Sequence, residues 1–121
     1  MEKVFTFEAK AAGLFIYHCA AGSIVDHISN GMYGLFLVEP TDGLSKVDKE
    51  FYIFQSEFFT DGDKGVTGFD ISKGLSEHPD HVLFNGRDGA LMGDNVLKAK
   101  VGENIRIYFG NIGPNGVSSF H

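Results

Sequence analysis

The sixteen residues YHCAAGSIVDHISNGM, positions 17–32, hold the chain's single cysteine, two of its five histidines and one of its three methionines. They are entered from LFIYHC (14–19), a run of β-formers, and left through MYGLFLVEP (32–40), a second such run stopped by Pro40. The stretch therefore reads as strand, Gly-bearing loop, strand. Consecutive side chains of an extended segment point to opposite faces, so His18 and Cys19 cannot reach one ion side by side. Cys19, His27 and Met32 follow the spacing C-x7-H-x4-M, which lets a loop fold back and bring all three side chains to one point.

The same alternation extends in both directions. KVFTFEA (3–9) sets Val4, Thr6 and Glu8 against Phe5, Phe7 and Ala9, and predicts a strand. TDGLSKVDK (41–49) is polar and turn-rich, and reads as a linker. EFYIFQSEFF (50–59) restarts the strand pattern, TDGDKGVTG (60–68) is a surface loop, and DISKGLSEH (70–78) predicts one short helix with Asp70 as its N-cap. HVLFNG, VLKAKVGE, NIRIYFGN and VSSFH each predict a further strand. Seven or eight strands with at most one helix imply an all-β protein, a Greek-key sandwich or barrel. Twelve Phe, four Tyr, no Trp and 16 Gly suit such a fold.

Composition narrows the function. A formal charge of −6 argues against nucleic acid as partner, because phosphate contacts need clustered Lys and Arg. No apolar run approaches the ~20 residues that span a bilayer, and MEKVFTFEAK lacks the basic-then-apolar pattern of a secretory signal. A lone cysteine forms no internal disulfide. Cys19 is therefore a small buried apolar group, a nucleophile or a metal ligand. As a nucleophile it needs an activating base, which His27 could be, but no oxyanion loop is evident and Met32 then has no role. As ligands, thiolate, imidazole and thioether are the soft and borderline donors that suit copper, and two His with one Cys and a weak axial Met make a blue-copper site. The bland alternative is a core Cys, a loop His and a core Met.

GLFIYHCAAGSIVDHISNGMYGLFLVEP (13–40), KVDKEFYIFQSEFF (46–59), VLFNGRDGALMGDNVLKAKVGE (82–103) and GPNGVSSFH (113–121) together resemble the copper-containing nitrite reductases. The His-Cys pair followed by GALMGDN and SSFH is what marks that family among blue-copper proteins. The resemblance implies cupredoxin domains, with Cys19, His27 and Met32 as type 1 copper ligands and His18 as a ligand of a catalytic type 2 copper. It implies that His121 stands beside that copper and delivers protons to bound nitrite. It also implies a periplasmic homotrimer of two-domain subunits, reducing nitrite to nitric oxide with electrons from a small cupredoxin or cytochrome c. The single peptide between His18 and Cys19 would then link the two metal centres, one on each side of a strand.

The chain departs from that pattern in what it lacks. No histidine precedes Tyr17 to complete the type 1 set, and for the type 2 copper only His18 is present. We therefore expect an internal portion of the enzyme: residues 1–44 as the end of a first cupredoxin domain, and 45–121 as linker and beginning of a second. Alone it is expected to lack nitrite reductase activity and to bind copper poorly. The rival reading is a small electron-carrying cupredoxin without catalysis, which needs an upstream His and has no use for His18. Multicopper oxidases carry His-x-His pairs, and this chain has none. His78 and His81 flank a helix-breaking Pro79 and read as exposed loop histidines. GRDGALMGDN reads as turns, without the Lys-Ser/Thr end of a phosphate-binding loop. Glu57, Asp61 and Asp63 read as solvated.

Overall fold

A computed structural model of the chain describes residues 2–120. Two antiparallel strands, β1 (Gly13–His18) and β2 (Tyr33–Val38), form a ribbon in which Gly13 pairs with Val38 and His18 with Tyr33. Between them the chain makes helix α1 (Ile24–Ser29). A second sheet has the order β4-β3-β5. Its long central strand β3 (Lys49–Phe58) is antiparallel to β4 (His81–Phe84) and parallel to β5 (Ile105–Asn111). Helix α2 (Ile71–Leu75) lies between β3 and β4, and a 3-10 turn spans Gly93–Asn95.

The core sits on β3 because that strand alone is flanked on both sides. Ile53, Phe54 and Phe59 are buried, and Phe59 is among the most enclosed side chains in the described structure. Burying a side chain of this size contributes about 1.5–3 kcal/mol. Phe54 faces the ribbon, meeting the Tyr33 ring edge-on at 5.0 Å. On the opposite face Phe109 of β5 stacks on Phe120 with 4.6 Å between centroids. Gly110, opposite Phe54 in the ladder, is buried where the two sheets approach. Its missing side chain makes room for Phe54 and Leu35.

The linker is tied down by charge. Arg106 contacts Glu50 at 2.6 Å, donates to the Ser45 carbonyl, and reaches the Ser45 hydroxyl at 2.9 Å. The guanidinium, with the Tyr108 hydroxyl, holds the Glu50 carboxyl below its ordinary range. α2 has the expected cap: Asp70 Oδ1 accepts from the N–H groups of Ser72 and Lys73.

Several expectations are corrected. Residues 3–9, 96–103 and 117–120 have strand-like sequences but join no ladder among the described residues; where they meet a strand, as Phe7 does Phe36 and Phe120 does Phe109, they do so through side chains. The count is five strands, with two α-helices where at most one was expected. The segment after Cys19 is not simply a loop, since it contains α1. His81 opens β4, though it is exposed as expected. Glu57 is not solvated: the residue is 3% exposed. No helix among the described residues is long and apolar enough to cross a membrane.

Candidate metal centre

Strand β1 ends at His18, and Cys19 follows it directly. The chain turns at Gly22, whose φ of 73° belongs to the left-handed region that glycine tolerates. Ser23 caps α1 by accepting from the Asp26 N–H at 3.3 Å, and Asp26 lies in the first turn, where the helix dipole favours a negative charge. At the far end Asn30 donates from its side chain to the carbonyl and carboxylate of Asp26, both at 2.8 Å. Gly31, with φ 84°, reverses the chain, and the Met32 N–H bonds back to the His27 carbonyl at 3.1 Å. This compact turn of helix is what returns His27 and Met32 to the end of β1.

The three side chains converge. Cys19 Sγ lies 2.8 Å from His27 Nδ1 and 3.9 Å from Met32 Sδ. The ribbon register explains the second distance: one step beyond the His18–Tyr33 pair, Cys19 falls opposite Met32. Cys19 and His27 are partly buried and Met32 is exposed, so the cluster lies at the surface end of the ribbon. A thiol sulfur with an imidazole nitrogen at 2.8 Å and a thioether sulfur at 3.9 Å is a donor set chemically fitted to copper.

His18 is set apart from this cluster. Strand alternation directs its ring to the other face of the ribbon, and the residue is exposed. Its Nδ1 is 2.8 Å from the Cys19 carbonyl oxygen. A carbonyl only accepts, so Nδ1 carries the proton and Nε2 keeps its lone pair facing outward. Among the described residues no group of three or more His, Cys, Asp or Glu side chains is assembled for a metal, at His18 or elsewhere. His78 follows α2 and His81 opens β4, and no contact of either with Cys19, His27, Met32 or His18 is seen among the described residues. His121 lies outside the described residues.

A site that the sequence reading passed over is Glu57. Its buried carboxylate accepts from the N–H groups of Asn115 at 3.1 Å and Gly116 at 2.6 Å. No local pattern announces it, because its partners are 58 and 59 residues away. The helix α1 did leave a readable signature in Ser23-x-x-Asp26, a capping-box pattern at its start.

Two cupredoxin-like features are thus combined: a sheet with a parallel β3–β5 pair, and a Cys-His-Met cluster at the end of a strand ribbon. This is the mostly-β architecture and soft donor set expected of the cupredoxin class. Comparison with known proteins places the chain more narrowly. It is 59% identical over 97% of its length to the copper-containing nitrite reductase of Neisseria meningitidis, and 58% identical over the same share to that of Neisseria gonorrhoeae. Among solved structures it resembles the copper nitrite reductase of Thermus scotoductus (TM-score 0.75, 32% identity, 92% of this chain and 26% of that one). It also resembles that of Nitrosomonas europaea (TM-score 0.68, 34% identity, 87% of this chain and 38% of that one). No protein-family profile matches the chain. Nearly the whole chain is thus similar to copper-containing nitrite reductases, and it spans about a third (31%) of the length of the curated relatives it matches.

Proposed function

We propose that this chain forms part of an enzyme that reduces nitrite to nitric oxide, with Cys19, His27 and Met32 holding a type 1 copper and His18 contributing to a type 2 copper. The observation that carries the reading is the convergence of Cys19 Sγ, His27 Nδ1 and Met32 Sδ, with His18 one peptide unit away on the opposite face. Copper bound at these residues would supply one-electron redox chemistry at the first site and a Lewis-acid hold on a nitrite oxygen at the second.

The chain's own residues have definite tasks. Cys19 must give up its thiol proton to act as a ligand, and His27 must present the Nδ1 lone pair, so loading releases protons. The Nδ1–H of His18, donated to the Cys19 carbonyl, keeps its ring in one tautomer with Nε2 free to bind. The His18–Cys19 peptide joins the two donors covalently. Converting nitrite to nitric oxide and water consumes one electron and two protons. His121 is the chain's proton donor for nitrite, since an imidazole can change its charge between pH 5 and 8.

The finer context follows the same reading. Residues 1–44 and 45–121 are parts of two successive cupredoxin domains. The full enzyme is a periplasmic homotrimer of denitrification that takes electrons from a small cupredoxin or cytochrome c. The test uses His18→Ala and Cys19→Ala in the full-length protein, with copper content, visible absorption and nitrite turnover measured. His18→Ala should lose about one copper per chain and nearly all turnover while keeping the strong visible band. Cys19→Ala should lose that band. Undiminished turnover in the first variant, or an intact band in the second, refutes the assignment.

A further inference from the structure

Glu57 is a buried carboxylate that takes part in no ion pair among the described residues. Burying an anion without a cation is unfavourable unless hydrogen bonds replace its water. Here they come from one place, the turn at 113–116. Oε1 accepts from the Gly116 N–H at 2.6 Å and Oε2 from the Asn115 N–H at 3.1 Å. The backbone N–H of Glu57 donates to the Gly113 carbonyl at 2.8 Å. Asn111 closes the turn from the other side, accepting from the Gly113 N–H and donating to the Gly116 carbonyl, both at 2.9 Å. The Asn115 side chain donates to the Gly74 carbonyl at 2.9 Å and fastens the turn to α2. A Cβ on residue 116 would collide with Glu57 Oε1, so glycine is required for this approach.

An apolar side chain of the same size would fill the space beside β3 equally well. What a carboxylate adds is a two-pronged grip on consecutive N–H groups, which fixes the direction in which the chain leaves the turn. It leaves as Val117-Ser118-Ser119-Phe120, and Phe120 is anchored again by stacking on Phe109. The next residue in sequence is His121. We infer that Glu57 is a positioning residue that sets the path of residues 117–120 and, through that path, acts on the proton donation assigned to His121. This rests on the role given to His121 under Proposed function.

The experiment is a double-mutant cycle in the full-length enzyme: wild type, Glu57→Gln, His121→Ala and the double variant, each assayed for kcat, KM for nitrite and the Cys19-dependent visible band. Gln keeps the size of Glu57 but turns one acceptor into a donor facing an N–H. Small misplacements of reacting groups cost up to about 100-fold, so Glu57→Gln should lower kcat by about 10-fold or more with the visible band unchanged. In the His121→Ala background the same change should alter kcat by less than about 2-fold, because the group it positions is gone. Gly116→Ala, which displaces the grip but keeps the charge, serves if Glu57→Gln does not fold, and should give the same pattern. Equal losses in both backgrounds, or no loss in either variant, overturn the inference. If His121→Ala itself leaves turnover unchanged, the proton-donor reading fails and the inference fails with it. A large effect of His121→Ala with none from Glu57→Gln overturns the inference alone.

Discussion

Gly110→Ala tests whether the β1–β2 ribbon and the second sheet are docked as described. A Cβ at Gly110 would stand 2.7 Å from Phe54 Cε2 and 2.8 Å from both Phe54 Cδ2 and Leu35 Cδ2. Phe54 cannot yield, since it is 3% exposed and held edge-on by Tyr33 at 5.0 Å and Tyr52 at 6.0 Å. Leu35 belongs to β2, three residues past Met32, so relief must come from separating the sheets. Overpacking of this kind costs about 1–3 kcal/mol. The entropy gained by restricting the unfolded chain offsets only about 0.4–1 kcal/mol of it. Gly110→Ala should therefore destabilise the full-length protein by about 1–2 kcal/mol in urea unfolding. Leu35→Ala removes one of the two side chains that the new methyl meets, so the double variant should recover at least about 1 kcal/mol relative to the sum of the singles. Additivity to within about 0.5 kcal/mol, or a net stabilisation by Gly110→Ala alone, would refute the docking of these two sheets.

Two further outcomes are expected. Lys73 donates to both oxygens of Asp80, at 2.8 and 3.0 Å, and with the Thr60 N–H holds that carboxyl below its ordinary range. Its stabilisation is present above the unfolded value of about 3.9 and fades as pH falls through the lowered folded value, so Asp80→Asn should flatten the acid limb of a Tm-against-pH curve. The isolated 121-residue chain, mixed with copper and an electron donor, should show no nitrite turnover; turnover with a strong blue or green colour would contradict the reading of this chain as one portion of a larger enzyme.

Much of the architecture was legible because alternation reports which face a strand buries. GLFIYH, YGLFLV, KEFYIFQSEF, HVLF and IRIYFGN all became strands. Alternation says nothing, however, about who lies beside a strand. Residues 3–9 have the pattern, with Phe5 and Phe7 stacking on each other and Phe7 against Phe36, yet they form no ladder. Val101 and Val117 are fully or almost fully exposed for the same want of a neighbour. Glu57 was misread for a related reason. A polar residue in a strand next to an acidic loop looks solvated until partners arrive from across the fold. The convergence of Cys19, His27 and Met32 was foreseeable from spacing, because every step between them is local.

The locality of that cluster also explains the order of the dipeptide. Cys19 meets His27 through a helix that begins five residues later, and meets Met32 through the register of the ribbon. Both routes act on the face to which the side chain at position 19 points. Adjacency in an extended backbone then leaves position 18 no choice of side. A one-residue slip would carry the thiol to the opposite face and separate it from both partners, since strand pairing repeats every two residues. The histidine on the far side is further constrained by its Nδ1–H bond to the Cys19 carbonyl, which belongs to the same short segment. The side chains of positions 18 and 19 are thus sent to opposite faces by one short extended segment, with no need for a second structural element to separate them.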